Sequence, residues 1–153
     1  MKAADIMTRE VITINEEATI EELCDVLQEK NVNGLPVVDD HGSLTGVVTM
    51  MDIIYGAMGR TIHETKEKKK RIVCSFKGGL ASELAKEENV VKVKDIMTSP
   101  AIFINEETPL IEIGTILWNF RIHRIPVVKD EKVTGIISSL DFCRAISTGR
   151  IKA

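Results

Sequence analysis

Two short stretches carry the residue types best suited to chemistry. In each, a hydroxyl precedes a carboxylate by three positions: Thr49 and Asp52 in one, Ser138 and Asp141 in the other. Each follows an apolar run typical of a strand and precedes a helical pattern. Because a helix start presents free N–H groups and a positive dipole end, and a carboxylate accepts bonds from hydroxyls, each stretch is suited to binding a phosphate or a ribose.

The same spacing has a purely structural interpretation. Thr-x-x-Asp is also a capping-box pattern, in which the hydroxyl caps the helix and the carboxylate bonds back to the first residue of the motif. The spacing alone does not separate the two interpretations, so both stay open at this point.

The two stretches belong to an internal repeat. Asp5-Ile6-Met7-Thr8 returns 90 residues later as Asp95-Ile96-Met97-Thr98, and 18 of 49 aligned positions are identical. A tandem duplication predicts one fold repeated twice. Since about fifty residues bury too little surface to be stable alone, we expect the two repeats to pack on each other about a pseudo-twofold axis.

Apolar periodicity predicts the order strand, helix, strand, strand, helix in each repeat. In the first repeat this places strands at 11–14, 35–38 and 44–48, with a helix from Ile20 that a Thr19-x-x-Glu22 capping box begins and a second helix at 52–58. In the second repeat the same elements fall at 101–104, 109–120, 125–128, 133–137 and 141–146. The predicted fold class is α+β, with two βαββα units.

Composition narrows the class of protein. The 153 residues carry a formal charge of -3, with 44% hydrophobic and 28% charged residues, which is typical of a folded soluble domain. No apolar run is long enough to span a bilayer, and the N-terminus lacks the apolar core of a signal peptide, so we expect a cytoplasmic protein without membrane attachment. Neither a metal-ligand spacing nor a catalytic cluster is found, which favours a binding module over an enzyme and predicts no catalytic cofactor.

Several motifs recur in order in both repeats: the Asp-Ile-Met-Thr opening, the Gly-Leu-Pro-Val-Val and Arg-Ile-Pro-Val-Val strands, and the endings in which Thr or Ser precedes Asp by three. Together they resemble a tandem pair of cystathionine-β-synthase-type (CBS) domains, the Bateman module. The resemblance implies domains at 1–58 and 93–153, separated by an insert at 59–92.

The resemblance also implies a ligand and its contacts. Many members of this family bind adenosine compounds in two clefts between the packed sheets, with the Thr or Ser near the phosphate or ribose and the Asp accepting bonds from ribose hydroxyls. Carried over, this assigns Thr49, Asp52, Ser138 and Asp141. The residues expected to hold the base are Thr13, Ile14 and Val37 (with Ile12) in one cleft and Ile102, Phe103, Ile104 and Val127 in the other, although apolar strand residues are first of all core residues.

His123 and Arg124 stand where the first repeat has Asn33 and Gly34. Their setting, Ile-His-Arg-Ile-Pro, is similar to phosphate-contacting segments in adenylate-sensing members of the family. An Arg can hold a phosphate through two hydrogen bonds, and a His can add a donor. The alternative is an ordinary solvated loop.

The insert is basic, with 10 Lys and Arg against 5 Glu between Arg60 and Lys94. Such a run is usually a solvated helix face, and residues 80–86 predict a helix. It could also contact the acidic repeats, a partner chain or nucleic acid. The absence of interleaved aromatic residues and of a nucleic-acid module makes the last alternative the least favoured.

The sequence therefore predicts a regulatory module that binds AMP, ADP, ATP or a related adenosyl compound and changes conformation or partner affinity. We expect it to form a homodimer and to act on a regulated protein that the sequence does not identify. The alternatives are a structural dimerisation module without a ligand, and a nucleic-acid-associated regulator acting through the basic insert.

Overall fold

The computed structural model describes residues 1–57 and 91–151. The basic run at 66–71 and the helix predicted at 80–86 lie outside the described residues. The elements follow in the order α1 (Ala3–Ile6), β1 (Ile14–Asn15), α2 (Ile20–Glu29), β2 (Gly34–Val38), β3 (Leu44–Thr49), α3 (Met50–Ala57), a 3-10 helix (Val93–Asp95), α4 (Leu110–Asn119), β4 (Arg124–Lys129), β5 (Lys132–Ser138) and α5 (Ser139–Ser147).

The described chain forms two compact units. Of the described residues, unit 1 contains Met1–Ile12, Gly42–Leu44 and 102–151, and unit 2 contains Thr13–His41, 45–57 and 91–101. The opening segment of each repeat, Met1–Ile12 in the first and residues 91–101 in the second, therefore packs in the unit that contains the strands and helices of the other repeat.

Unit 2 is built on a three-stranded sheet in the order β1-β2-β3. β1 runs parallel to β2, with Ile14 opposite Val37. The predicted capping box begins α2 as expected, because Thr19 Oγ1 accepts a bond from Glu22 N (3.1 Å) and Glu22 Oε2 accepts one from Thr19 N (2.7 Å). The buried side chains of the unit come from all these elements and from the opening segment, and include Ile14, Leu23, Leu27, Val37, Val48 and Val93.

Unit 1 is built on the antiparallel pair β4–β5. Alternate residues of both strands, including Ile125, Val127 and Ile137, enter a core shared with Ile113 of α4 and Ala145 of α5. Ala3, Ile6 and Met7 of the opening segment complete that core. The intervening residues of the strands, among them Arg124 and Ser138, lie on the opposite face of the sheet because side chains alternate along a strand.

The predicted fold class and repeat order are confirmed, with corrections at the element ends. The strand predicted at 11–14 is reduced to Ile14–Asn15, and the one at 101–104 to a parallel bridge between Ile104 and Val127. Both helices after the hairpins begin earlier than predicted, at Met50 and Ser139, because the carboxylate in the first turn bonds back to the backbone N–H of the residue before each helix. Neither α1 nor the 3-10 helix was predicted, since their apolar spacing is too short to show a period.

Each opening segment lies against a glycine of the strand that precedes the junction. Thr8 exchanges backbone hydrogen bonds with Ile136 (3.0 and 2.9 Å), and Thr98 does the same with Val47 (3.0 and 2.9 Å). A Cβ at Gly135 would lie 2.5 Å from Met7 Sδ, and one at Gly46 would lie 2.8 Å from Thr98 O. The glycines of the repeated endings therefore allow the opening segments to approach.

Exposed ion pairs join each opening segment to the rest of its unit, at equivalent positions of the two repeats. Lys2 pairs with Glu107 at 2.8 Å in unit 1, and Lys92 and Lys94 both pair with Glu17 in unit 2. The hydrogen bonds from the two lysines hold the pKa of Glu17 below its ordinary value. Because these side chains are exposed, each pair adds little to the free energy of unfolding.

Candidate functional site

The unit 2 junction joins β3 to α3 at Thr49. Asp52 Oδ2 accepts two bonds from this residue, one from the backbone N–H at 2.7 Å and one from the hydroxyl at 2.8 Å, while Asp52 N lies 3.4 Å from Thr49 Oγ1. Asp52 Oδ2 therefore makes the bonds that the capping interpretation predicts. Asp52 remains half-buried, and its Oδ1 accepts no hydrogen bond from the described residues.

The unit 1 junction joins β5 to α5 at Ser138. As in unit 2, Oδ2 of the aspartate bonds back to the residue three positions earlier. Asp141 Oδ2 accepts bonds from Ser138 N and Ser138 Oγ, both at 2.7 Å. Here Oδ1 is also engaged, by Thr8 Oγ1 at 3.3 Å and Arg144 Nη1 at 3.2 Å. Asp141 is only 5% exposed, so this carboxylate is more enclosed than Asp52.

The residue beside each junction differs sharply between the units. In unit 1, Arg124 of β4 lies directly opposite Ser138 of β5. In unit 2 the equivalent residue is Gly34, and a Cβ there would lie 3.0 Å from Thr49 Cγ2. The threonine methyl group thus occupies the space that a side chain at position 34 would need, so the position that holds Arg124 in unit 1 holds no side chain in unit 2.

Partial burial lowers the pKa of Arg124 from its ordinary value, by desolvation. An arginine stays protonated over the whole neutral range, so the lowered pKa does not remove the charge. A half-buried cation with a planar set of N–H donors is well suited to a phosphate.

His123 lies in the segment between α4 and β4, directly before Arg124. Its carbonyl accepts a bond from Ser139 N at 3.0 Å. The residue lines a groove of about 590 Å³ between α4 and α5, whose other described lining residues are Gly114, Leu117, Trp118, Arg121, Ile122, Ser139 and Phe142. The backbone of His123 thus lies at the start of α5, and its role as a phosphate donor stays a prediction.

The residues expected to hold the base divide by exposure. Ile14, Val37, Ile104 and Val127 are buried, and the last two belong to the unit 1 core. Ile12 and Ile102 are half-buried, whereas Thr13 and Phe103 are exposed. Thr13 and Phe103 occupy equivalent positions of the two repeats, so among these residues they are the ones that a ligand can reach without displacing the core.

Two residues at the unit 1 junction were not among the candidates. Thr8 was noted only as part of the Asp-Ile-Met-Thr repeat, and Arg144 not at all. The helical spacing of Arg144 from Asp141 was a usable signal, since side chains three positions apart on a helix are neighbours. Nothing in the local sequence links Thr8 to Asp141, which is 133 residues away.

Within residues 1–57 and 91–151, no helix is both long and apolar enough to cross a bilayer. The same residues contain no group of three or more His, Cys, Asp or Glu side chains placed to hold a metal ion.

A family model of the CBS domain matches residues 3–59 and, a second time, residues 93–148. The chain therefore belongs to the CBS domain family and carries two copies in tandem. An uncharacterized protein of Methanocaldococcus jannaschii, MJ1404, is 32% identical over 146 residues, which cover 95% of this chain. The chain spans 32% of the length of that relative, and 23% and 22% of two others from the same organism.

Solved structures of CBS pairs have the same fold. The CBS domain pair of protein MJ0100, in complex with 5′-methylthioadenosine and S-adenosyl-L-methionine, is 27% identical with a TM-score of 0.68, covering 97% of this chain and 98% of that one. The structure of CBSX2 in complex with AMP is 24% identical with a TM-score of 0.74, covering 98% of both chains. At its lower identity the second likeness concerns the fold alone.

Proposed function

We propose that this chain is a regulatory module that binds an adenosine-containing ligand at its strand-to-helix junctions. The observation that carries the proposal is the arrangement at Asp52, a half-buried carboxylate at a helix start whose Oδ1 accepts no hydrogen bond from residues 1–57 and 91–151. An ionised carboxylate only accepts hydrogen bonds, and a ribose diol supplies two donors. The bound adenosyl compounds of the MJ0100 pair support this ligand class.

The proposed contacts fall into three groups. Thr49 and Asp52 are the proposed junction contacts in unit 2. In unit 1 they are Ser138 and Arg124, and Arg124 is the proposed phosphate contact because it lies opposite Ser138. The exposed Thr13 and Phe103 are proposed to meet the base. We expect the contact between Arg124 and a ligand phosphate to decide which ligand binds best among AMP, ADP, ATP and the S-adenosyl compounds.

A second candidate function rests on the same hydrogen bonds. Because each carboxylate caps its helix through Oδ2, the motif could serve stability alone, as in a dimerisation module without a ligand. The two functions differ in the expected response to nucleosides, since a ligand that binds only the folded state raises the melting temperature.

A thermal-shift panel separates these candidates. We expect adenosine, AMP, ATP, 5′-methylthioadenosine or S-adenosylmethionine to raise the melting temperature, with GMP as the control for a different base on the same sugar and phosphate. At a ligand concentration about a hundred times Kd, the stabilisation is roughly 2.7 kcal/mol. A panel in which no adenosyl compound acts would favour the structural module.

We propose that the ligand regulates a partner protein by changing the conformation of this module. A ligand that binds two conformations unequally shifts the population between them, and through this the affinity for a partner protein. The proposed role is regulatory and not catalytic, so the adenosine compound acts as an effector.

We also propose a homodimer. α4 and α5 expose large apolar side chains, including Ile111 (83%), Trp118 (84%) and Leu140 (71%), which a second copy could cover. We expect light scattering at micromolar concentration to give the mass of two 17.0 kDa chains. A monomer mass with and without adenosyl ligand would contradict the dimer.

A further inference from the structure

The two junction carboxylates use one oxygen alike. In each, Oδ2 accepts the backbone N–H and the hydroxyl of the residue three positions earlier, at 2.7 to 2.8 Å. Only Oδ1 is left to accept hydrogen bonds from a ligand, so the surroundings of Oδ1 decide whether a junction can bind a ribose diol.

In unit 1 this oxygen is already engaged. Arg144 Nη1 and Thr8 Oγ1 lie 3.2 and 3.3 Å from Asp141 Oδ1. The position of Thr8 is fixed, because its backbone pairs with Ile136 and the preceding Met7 is buried in the core. A ribose hydroxyl would have to displace both a cation and a hydroxyl donor to reach this oxygen.

In the described part of unit 2, the residues at the positions of these two donors do not bond to Asp52. Thr98 occupies the position of Thr8 and pairs with Val47 in the same way, yet its hydroxyl makes no hydrogen bond to Asp52. The position of Arg144 is taken by Tyr55, which carries no cation. None of the described residues therefore donates a hydrogen bond to Asp52 Oδ1, and this oxygen can accept one from a ligand.

Given the proposed adenosine binding, we infer that the two junctions are functionally divided: Asp52 binds the cis-diol of an uncharged nucleoside, and Asp141 fastens the opening segment Met1–Ile12 to α5. The unit 1 junction then lacks a carboxylate oxygen that can accept from a diol, so a ligand held there depends on contacts other than Asp141 Oδ1.

The test is calorimetric titration with adenosine, which carries the diol but no phosphate. We expect the wild-type chain to bind one adenosine, Asp52→Asn to weaken it at least about tenfold, and Asp141→Asn to change it by less than about threefold. Asparagine keeps the size of the side chain at both positions. Two adenosine sites in the wild type, or an equal loss in Asp141→Asn, would overturn the division of roles.

A gain-of-site variant keeps the inference testable if Asp141→Asn does not fold. Thr8→Val combined with Arg144→Tyr gives Asp141 Oδ1 the surroundings that Asp52 Oδ1 has, and both replaced side chains are exposed. We expect a second adenosine to bind this double variant, and a single site would overturn the inference. A wild-type chain that binds AMP but no adenosine would also overturn the inference, whereas one that binds no adenosyl compound would refute the proposed function itself, which distinguishes the two failures.

Discussion

Gly46→Ala is expected to lower the free energy of unfolding by about 1–3 kcal/mol, the usual cost of inserting a methyl group into a filled space. The new Cβ would lie 2.7 Å from Met97 Sδ and 2.8 Å from Thr98 O. The methionine side chain can shift, but the carbonyl is fixed by its bond from Val47 N at 3.0 Å. The opening segment of the second repeat would therefore have to move away from β3.

Urea denaturation measures this effect, and Gly114→Ala is the matched control. Gly114 lies inside α4, where a Cβ would meet no heavy atom within 4 Å. Since alanine is favoured over glycine in a helix by up to about 1 kcal/mol, the control should be neutral or stabilised. A Gly46→Ala chain as stable as the wild type would show that the close approach of the opening segment does not hold unit 2 together.

Arg124→Ala is expected to weaken AMP binding at the unit 1 junction by about tenfold or more, the effect of losing a charge-assisted hydrogen bond of roughly 1.5–3 kcal/mol. Adenosine binding should stay within about threefold of wild type, because the nucleoside has no phosphate for the guanidinium. Arg124 lies opposite Ser138 on the strand, which places its charge at the helix start.

Titration calorimetry with both ligands checks this, with Arg121→Ala as the control. Arg121 is an exposed arginine of the same unit that lines the groove between α4 and α5. Its loss should leave both affinities unchanged. Equal weakening of AMP and adenosine in Arg124→Ala, or no weakening of either, would remove the phosphate role.

Local patterns were sufficient to predict the repeats and most elements. The duplication fixed the order of strands and helices, and short-range signals such as Thr19-x-x-Glu22 located a helix start that the structure confirms. β1 was overestimated because an apolar run at 11–14 indicates extended chain, whereas the number of residues that pair depends on the neighbouring strand, β2.

The packing of the opening segments could not be predicted from the same patterns. The Asp-Ile-Met-Thr motif was visible as a repeat, but its contacts with Gly135 in one unit and Gly46 in the other join residues far apart in the chain. For the same reason, the local patterns around Asp52 and Asp141 predicted the same role for both residues. Their difference depends on Thr8, which reaches Asp141 across 133 positions, and on Arg144, whose counterpart is Tyr55.

The central claim is that a carboxylate at a strand-to-helix junction binds a ribose diol, and comparing adenosine with 2′-deoxyadenosine tests it most directly. The two ligands share the base and differ by one hydroxyl. Calorimetric titration of the wild-type chain should give adenosine at least about tenfold higher affinity, because the deoxy compound leaves Asp52 Oδ1 with one donor fewer. Equal affinities for the two nucleosides would contradict the account.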